Sequence, residues 1–371
     1  MSRPTPVSYV PAWDIWVRLF HWALVLGVGA AALTGFLGDA RWTLVHVASG
    51  LTATGLVLAR IVWGVFGPTH ARFADFLPRP GAVIAHLSGR DRRHRGHNPL
   101  GALMVLALFA AILALAGTGL AGLGGWLRIG PLAADLGTDT GRMALDLHGG
   151  VALGVLALVA LHVGGVVFES RREGENLARA MVTGRKQARP GDAPVAPARA
   201  RGGLALGLVA GLGAALGLGG ATLSARPAPN LPVAVTDPLT AQECGACHMV
   251  YHPSLLPAAS WSDLMAGLDA HFGENAWIDA GDAAEIEAWL TAHAAETVDT
   301  APARLFVRTD PAAPATLTET PAWERLHDDL PDGLFARAPI FTRANCAACH
   351  ADAATGRFSP FAIEIPKETP K

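Results

Sequence analysis

Charged residues are scarce in this chain of 371 residues: they make up 16% of it, against about 25% in an ordinary soluble domain. Hydrophobic residues reach 51%, and the mean hydropathy is +0.32. This composition excludes a disordered chain, which combines low hydrophobicity with high net charge, and it argues against a wholly soluble enzyme. Lysine is scarce as well, so arginine carries nearly all the positive charge. The balance indicates a membrane protein with a soluble part attached.

The net charge of −2 hides an asymmetry between the two parts of the chain. Residues 1–224 contain 20 lysines and arginines and 11 acidic residues, a net of +9. Residues 225–371 contain 9 lysines and arginines and 20 acidic residues, a net of −11. We therefore expect a basic apolar domain over 1–185, a linker with a further helix over 186–238, and an acidic domain over 239–371.

Five apolar stretches are each long enough to cross a bilayer as a helix, which takes about 20 residues. Pro11 and Asp14 precede the first stretch as at a helix start, and no small-x-small cleavage site follows it, so we do not expect a signal peptide. The stretches run roughly over 17–37, 43–66, 99–123, 147–168 and 203–223.

Basic residues concentrate in two of the loops. Residues 67–97 hold six arginines and two acids, and residues 169–202 hold eight basic and four acidic residues. The positive-inside rule makes both loops cytoplasmic. The sequence therefore predicts a multi-pass protein of a bacterial inner membrane, with a cytoplasmic N-terminus and a periplasmic C-terminal domain.

All four cysteines fall in two copies of one motif, Cys-x-x-Cys-His. This motif attaches haem c: each thiol adds to one vinyl group, and the histidine is an axial ligand of the iron. A pair of disulfides or a four-cysteine zinc site would not explain a histidine after both motifs. The predicted haem-binding residues are Cys244, Cys247 and His248, and Cys346, Cys349 and His350.

The second axial ligands of these two haems are less defined by the sequence. His252, His271, His293, His327, Met249 and Met265 are the candidates. His252 would share a helix face with His248, and His293 would share a helix face with the apolar residues Trp289 and Leu290. We favour His271 and His327, which follow or end predicted helices and can close over a ring.

Pro and Gly are frequent in 239–371, and no alternating strand is evident. We therefore expect the apolar core of this domain to be small.

Four histidines lie inside predicted spans, where a polar group is costly and usually functional. His148 and His162 are 14 residues apart, so they share a helix face and lie roughly 21 Å apart along it. The directions of the spans pair His46 with His148 near the outer surface, and His21 with His162 near the cytoplasm. Each pair predicts one non-covalent haem b. Arg60, near the cytoplasmic end of the second span, either reaches toward water or binds a haem propionate.

These residues resemble two families. Residues 10–185 are similar to the bacterial cytochrome b561 family, related to the cytochrome b subunits of nickel-iron hydrogenases, and residues 239–366 to the dihaem cytochrome c family. The first resemblance rests on Trp13-Asp14, Arg18 to Trp22, His46, His97 to Gly101, His148 and His162. The second rests on both haem motifs with Leu255 to Pro257, Ser260-Trp261, His271 to Asn275, Thr318 to Pro321, His327-Asp328 and Ile365-Pro366.

The resemblance implies an all-α protein: a transmembrane bundle of four helices that bind two haem b, a fifth tethering helix, and a small, mainly helical domain with two haem c. It implies transfer of electrons from membrane quinol to a soluble c-type cytochrome, a possible quinol:cytochrome c oxidoreductase activity, and no nucleic-acid partner. A haem enzyme acting on superoxide, oxygen or ferric iron is the alternative, and a haem-based redox sensor is a third. Reduction by a quinol analogue separates the first hypothesis from the others.

Overall fold

A computed structural model describes residues 8–90, 93–190, 192, 197–306 and 316–367. The described residues separate into two compact units. The first unit comprises the described parts of Met1–Leu37, Val45–Gly119 and Leu145–Gly220. The second comprises the described parts of Gly38–Leu44, Leu120–Ala144 and Ala221–Lys371.

Among the described residues, five helices are long and apolar enough to cross a membrane, which supports the expected multi-pass membrane protein. The first of these helices begins after Asp14, whose side chain accepts from the backbone N–H groups of Trp16 and Val17, as the sequence suggested. Another begins at Pro99, where the side chain of Asn98 accepts from Gly101 N–H at 2.7 Å. The long helices are α1 (Ile15–Phe36), α2 (Thr43–Phe66), α5 (Pro99–Gly125), α6 (Thr138–Glu173) and α8 (Gly202–Ser224), and the shorter ones between them are α3 (Phe73–Phe76), α4 (Pro80–Leu87) and α7 (Leu177–Thr183).

The first unit packs α1, α2 and α5 around a small apolar core. Val57 of α2 is completely buried, and Phe20 and Phe109 meet edge to face with ring centroids 6.0 Å apart. Many outward side chains of the membrane-crossing helices are both large and apolar, such as Leu26 of α1 at 74% and Leu161 of α6 at 64% exposure. A surface of this kind suits lipid, because hydrocarbon solvates it as well as a protein core does.

A polar cap closes the first unit at the end where α2 and α6 finish. Strand β1 (Tyr9–Pro11) pairs antiparallel with β2 (Arg185–Gln187). Arg93 forms ion pairs with Glu173, Glu175 and Asp192, and Lys186 pairs with Glu173 at 3.4 Å. The linker expected to begin at residue 186 therefore starts within a packed strand.

The second unit carries the shorter helices α9 (Pro238–Gly245), α10 (Ala258–Ala266), α11 (Ala280–Ala292), α12 (Ala301–Phe306) and α13 (Pro321–His327). Two apolar clusters hold it, one around Ile286 and Trp261, the other around Trp323 and Leu255. Helix α10 ends at Ala266 and a 3₁₀ turn follows it, so His271 comes just after this turn, and α11 begins at Ala280 with Asp279 as its cap. No strand longer than an isolated bridge occurs among the described residues of 239–371. The all-α class is confirmed.

Candidate haem-binding sites

The eight predicted axial histidines come together in four pairs. A histidine nitrogen binds a metal ion at about 2.0–2.1 Å, so an ion held between two imidazoles sets their ring centroids about 6 Å apart. All four pairs have this spacing, and two of them are the pairs that helix depth predicted. The centroid distances are 6.4 Å for His21 and His162, 6.0 Å for His46 and His148, 6.1 Å for His248 and His271, and 6.2 Å for His327 and His350.

Hydrogen bonds orient both rings of the His46–His148 pair. Nδ1 of His46 donates to the carbonyl of Ala31 at 2.9 Å, and Nδ1 of His148 donates to that of Leu115 at 3.0 Å. Because carbonyl oxygens only accept, each bond fixes the proton on Nδ1 and leaves Nε2 as the metal-binding atom. Thr118 places its hydroxyl 3.1 Å from Nδ1 of His148.

Two glycines make room for these rings. A Cβ at Gly35 would lie 2.8 Å from Cε1 of His46, and one at Gly119 would lie 3.2 Å from Cε1 of His148. Sequence reasoning missed both glycines, because each lies in a helix rich in small residues and only the packing distinguishes it.

The His21–His162 pair has a different environment. Its rings are tilted by 51°, and the ring of His21 also meets that of Trp22, with centroids 5.1 Å apart. Nδ1 of His21 is buried without a hydrogen-bond partner among the described residues. This pair is therefore brought together by helix packing, without the carbonyl bonds of the first pair.

The first Cys-x-x-Cys-His motif spans the end of α9. Asp237 caps this helix by accepting from Thr240 N–H at 2.7 Å, and Cys244 lies in its last turn. The rings of His248 and His271 are nearly parallel, at 23°. Burial raises the pKa of the Cys244 thiol, and burial lowers the pKa of His271, which keeps that ring neutral as a metal ligand requires.

The second motif forms a 3₁₀ turn over Cys346–Ala348. Nδ1 of His327, at the end of α13, donates to the carbonyl of Trp323 at 2.8 Å, and the two rings stack 4.3 Å apart. Phe358 meets His350 with centroids 5.2 Å apart, and burial lowers the pKa of His350. His327 is thus presented with Nε2 available.

The four thiols are free, and no group of three or more histidines, cysteines and acids in the described part of the chain is arranged around a metal-sized space. Paired histidines beside paired thiols fit a haem, which takes two axial ligands and two thioether bonds. They do not fit a cluster of four protein ligands.

The other candidate ligands have different contacts. His252 and His248 do not share a helix face, because α9 ends at Gly245 and His252 caps a 3₁₀ turn. His252 is fully buried; one ring nitrogen is 2.6 Å from the carbonyl of Val233 and the other contacts Ser254. His293 stacks on Trp289, and Met265 packs against the apolar cluster.

The two motifs lie next to each other. The hydroxyl of Tyr251 donates to the carbonyl of Ala344 at 2.7 Å, and Sδ of Met249 lies 3.4 Å from the backbone nitrogen of Ala347. The ring of Tyr251 also meets that of His248, with centroids 5.4 Å apart. Tyr251 thus contacts one motif and bonds the segment that leads into the other.

Two family models match the chain: prokaryotic cytochrome b561 over residues 12–184 and dihaem cytochrome c over residues 240–358. Residues 12–184 therefore form a cytochrome b561 domain, and residues 240–358 form a dihaem cytochrome c domain. A diheme cytochrome c from Rhodobacter sphaeroides is 43% identical, covers 33% of this chain and 98% of its own, and has a TM-score of 0.29. A diheme cytochrome c from Shewanella baltica is 33% identical, covers 35% of this chain and 92% of its own, and has a TM-score of 0.28. Comparison with curated proteins gives no match.

The two family memberships fix the class of the chain. It is a multi-pass membrane protein that binds haem b in its b561 part and haem c in its dihaem part, and it transfers electrons. The resemblance inferred from the sequence is confirmed for both parts.

Proposed function

We propose that the chain takes electrons from membrane quinol and passes them through two haem b and two haem c to a soluble c-type cytochrome. The observation that carries this proposal is the four histidine pairs, each spaced for one iron ion. The haems supply the one-electron chemistry, and the protein supplies ligands, spacing and environment. The b561 family supports a quinol partner.

The placement of the pairs on α6 supports a route along the bundle. His148 and His162 lie on one unbroken helix, Thr138–Glu173, so their sites are separated by roughly 21 Å along its axis. Two sites at different depths let electrons cross most of the hydrocarbon layer in two steps. With a cytoplasmic N-terminus in the inner membrane, the His46–His148 site is the outer one and the dihaem part is periplasmic.

The ligand roles follow from the side chains. His21, His46, His148 and His162 would hold the two haem b, and His248 with His271 and His350 with His327 the two haem c. Cys244 and Cys247, and Cys346 and Cys349, would form the thioether bonds. The axial bonds need neutral imidazoles, and the thioether bonds need reduced thiols, which the four free cysteines provide.

Stopped-flow mixing of the full chain with a reduced quinol analogue tests the proposal. We expect a pyridine haemochrome ratio of haem b to haem c near 1:1, and reduction of haem b before haem c. The His148→Ala variant should take up electrons at the His21–His162 site and fail to pass them to haem c. Reduction by superoxide but not by quinol would overturn the proposal in favour of the haem-enzyme alternative.

A further inference from the structure

Arg60 is a buried cation inside a membrane-crossing helix. It lies in α2 with 4% exposure, and its guanidinium is positively charged near neutral pH. An arginine that snorkels keeps its head group in water, which this exposure rules out. A charge in this position is costly unless a partner of opposite sign is present. The question is therefore what anion accompanies Arg60.

Among the described residues, no acid forms an ion pair with Arg60. Its guanidinium carbon lies 5.7 Å from the ring centroid of Phe73, and its Nη1 is buried with no hydrogen-bond partner among the described residues. Asp14 is the acid near enough to act on it, but Oδ1 of Asp14 accepts the N–H groups that start α1, and Oδ2 accepts the indole N–H of Trp63 at 3.2 Å. The structure gives no ion pair between Arg60 and Asp14.

His97 adds a second unused donor at the same place. Its ring meets those of Trp13 and Phe76, with centroids 4.7 Å and 4.5 Å apart, and its Nδ1 is buried without a partner in the described part of the chain. Burial, together with the nearby positive charge of Arg60 and the nearby His162, lowers the pKa of His97 to about 3. A neutral ring here has an N–H to donate and no charge of its own to compensate.

We infer that Arg60 and His97 bind a propionate carboxylate of the haem held by His21 and His162. Haem carries two such carboxylates at one edge, and a buried guanidinium beside an imidazole N–H offers charge-assisted hydrogen bonds to one of them. The inference deepens the proposed function, because it requires haem b at the His21–His162 pair. It also gives a hydrogen-bond partner to the buried Nη1 of Arg60 and to the buried Nδ1 of His97.

Redox titration of the purified full chain, with mediators and no quinol, tests this inference. In Arg60→Met the reduced-to-oxidised ratio of this haem at a fixed potential should fall about tenfold, equivalent to about 59 mV for a one-electron couple, because a nearby cation stabilises the reduced iron. The other haem b should not shift. His97→Phe keeps the ring packing and should lower the same ratio several-fold. In the double variant the fold-change should be smaller than the product of the two single fold-changes, because both residues bind the same carboxylate.

Three control variants separate this role from others. Arg79→Met removes an exposed arginine and should shift neither haem b. Asp14→Asn keeps a good helix cap but removes a nearby anion, so it should leave the ratio within about twofold or raise it; a fall as large as that in Arg60→Met would show that both variants act through the packing of α1 and α2, and the inference would fail. His162→Ala identifies which absorption band belongs to the site.

The remaining outcomes are also decisive. Equal shifts of both haem b, or no shift in Arg60→Met at full haem content, would overturn the inference. If Arg60→Met loses the haem of this site alone, Arg60→Lys must retain it, because lysine keeps the charge; loss in the lysine variant too would indicate a packing role and refute the inference. A wild-type chain that lacks haem b altogether, visible as a b-to-c ratio near zero, would instead be a failure of the proposed function.

Discussion

A hydrogen bond made by one ring nitrogen of a histidine leaves the other nitrogen available to a metal ion. In the His46–His148 pair both Nδ1 atoms donate to carbonyls one helix away, and His327 uses the carbonyl of Trp323 in the same way. These bonds fix the tautomer before any cofactor binds. The ligand set is therefore a property of the folded backbone as much as of the histidines themselves.

Alanine variants at the membrane histidines should sort into two classes. His46→Ala and His148→Ala should each lose the same haem b, while His21→Ala and His162→Ala lose the other, because each pair has one iron-sized gap. Low-temperature absorption spectra of the α-band distinguish the two haems. Different spectral losses from His46→Ala and His148→Ala would disprove the pairing.

Single residues also mark the limit of what the sequence could predict. The helical repeat predicted which membrane histidines pair, because depth along a straight helix follows from residue number. It could not single out Gly35 and Gly119, whose role depends on the partner helix. His252 was excluded as a ligand for a wrong reason, since the fold gives it a buried structural role that no local pattern encodes.

Among the elements, the two-stranded sheet was the least predictable. Tyr9–Pro11 and Arg185–Gln187 lie at opposite ends of the b561 part, and three-residue strands carry no detectable alternation. Strand β2 lies next to a network in which Asp192 accepts hydrogen bonds from Arg93 and Arg95, each at 2.9 Å. Tertiary charge pairing, rather than strand propensity, accounts for this segment.

This network gives the sheet a pH dependence. Burial alone would raise the pKa of Asp192, but the hydrogen bonds from Arg95 and Arg93 lower it below its ordinary value. The stabilisation is therefore complete above the ordinary aspartate range, near pH 4, and is lost as pH falls further through the lowered pKa. Hydrogen exchange of the Lys186 amide should be slow at pH 7 and accelerate below about pH 4 relative to its intrinsic rate.

Asp192→Asn is the matched variant, since it keeps the shape and removes the charge. It should show the faster exchange already at pH 7. A wild-type profile that follows the intrinsic rate at every pH would mean that the ion pairs contribute nothing to the sheet.

Tyr251 connects the two haem motifs of the dihaem part. Tyr251→Phe removes the bond to the carbonyl of Ala344 and should lower the free energy of unfolding of this part by about 1–2 kcal/mol. Denaturant titration followed by Soret circular dichroism measures it. Tyr9→Phe is the control, because Tyr9 is half-exposed in β1, and an equal effect from both variants would contradict the bridging role.

At the scale of the whole molecule, charge is divided between the two parts. The dihaem part and the residues before it from position 225 carry a net charge of −11. We expect this charge to steer a basic cytochrome, so that the association rate falls steeply as the Debye length shrinks from about 30 Å at 0.01 M salt to about 8 Å at 0.15 M. Stopped-flow transfer to a basic and to an acidic small cytochrome measures this. A flat salt profile, or a faster rate to the acidic one, would show that the charge serves solubility only.

The unequal hydrogen bonding of the two membrane pairs has a consequence for maturation of the protein. The His46–His148 rings are held in place by carbonyls before haem arrives, whereas Nδ1 of His21 has no such partner in the described structure. Insertion at the preoriented pair loses less side-chain entropy. When haem supply limits biosynthesis, the membrane should therefore accumulate chains with one haem b, whose spectrum matches that of the His162→Ala variant, and late-supplied haem should fill the other site.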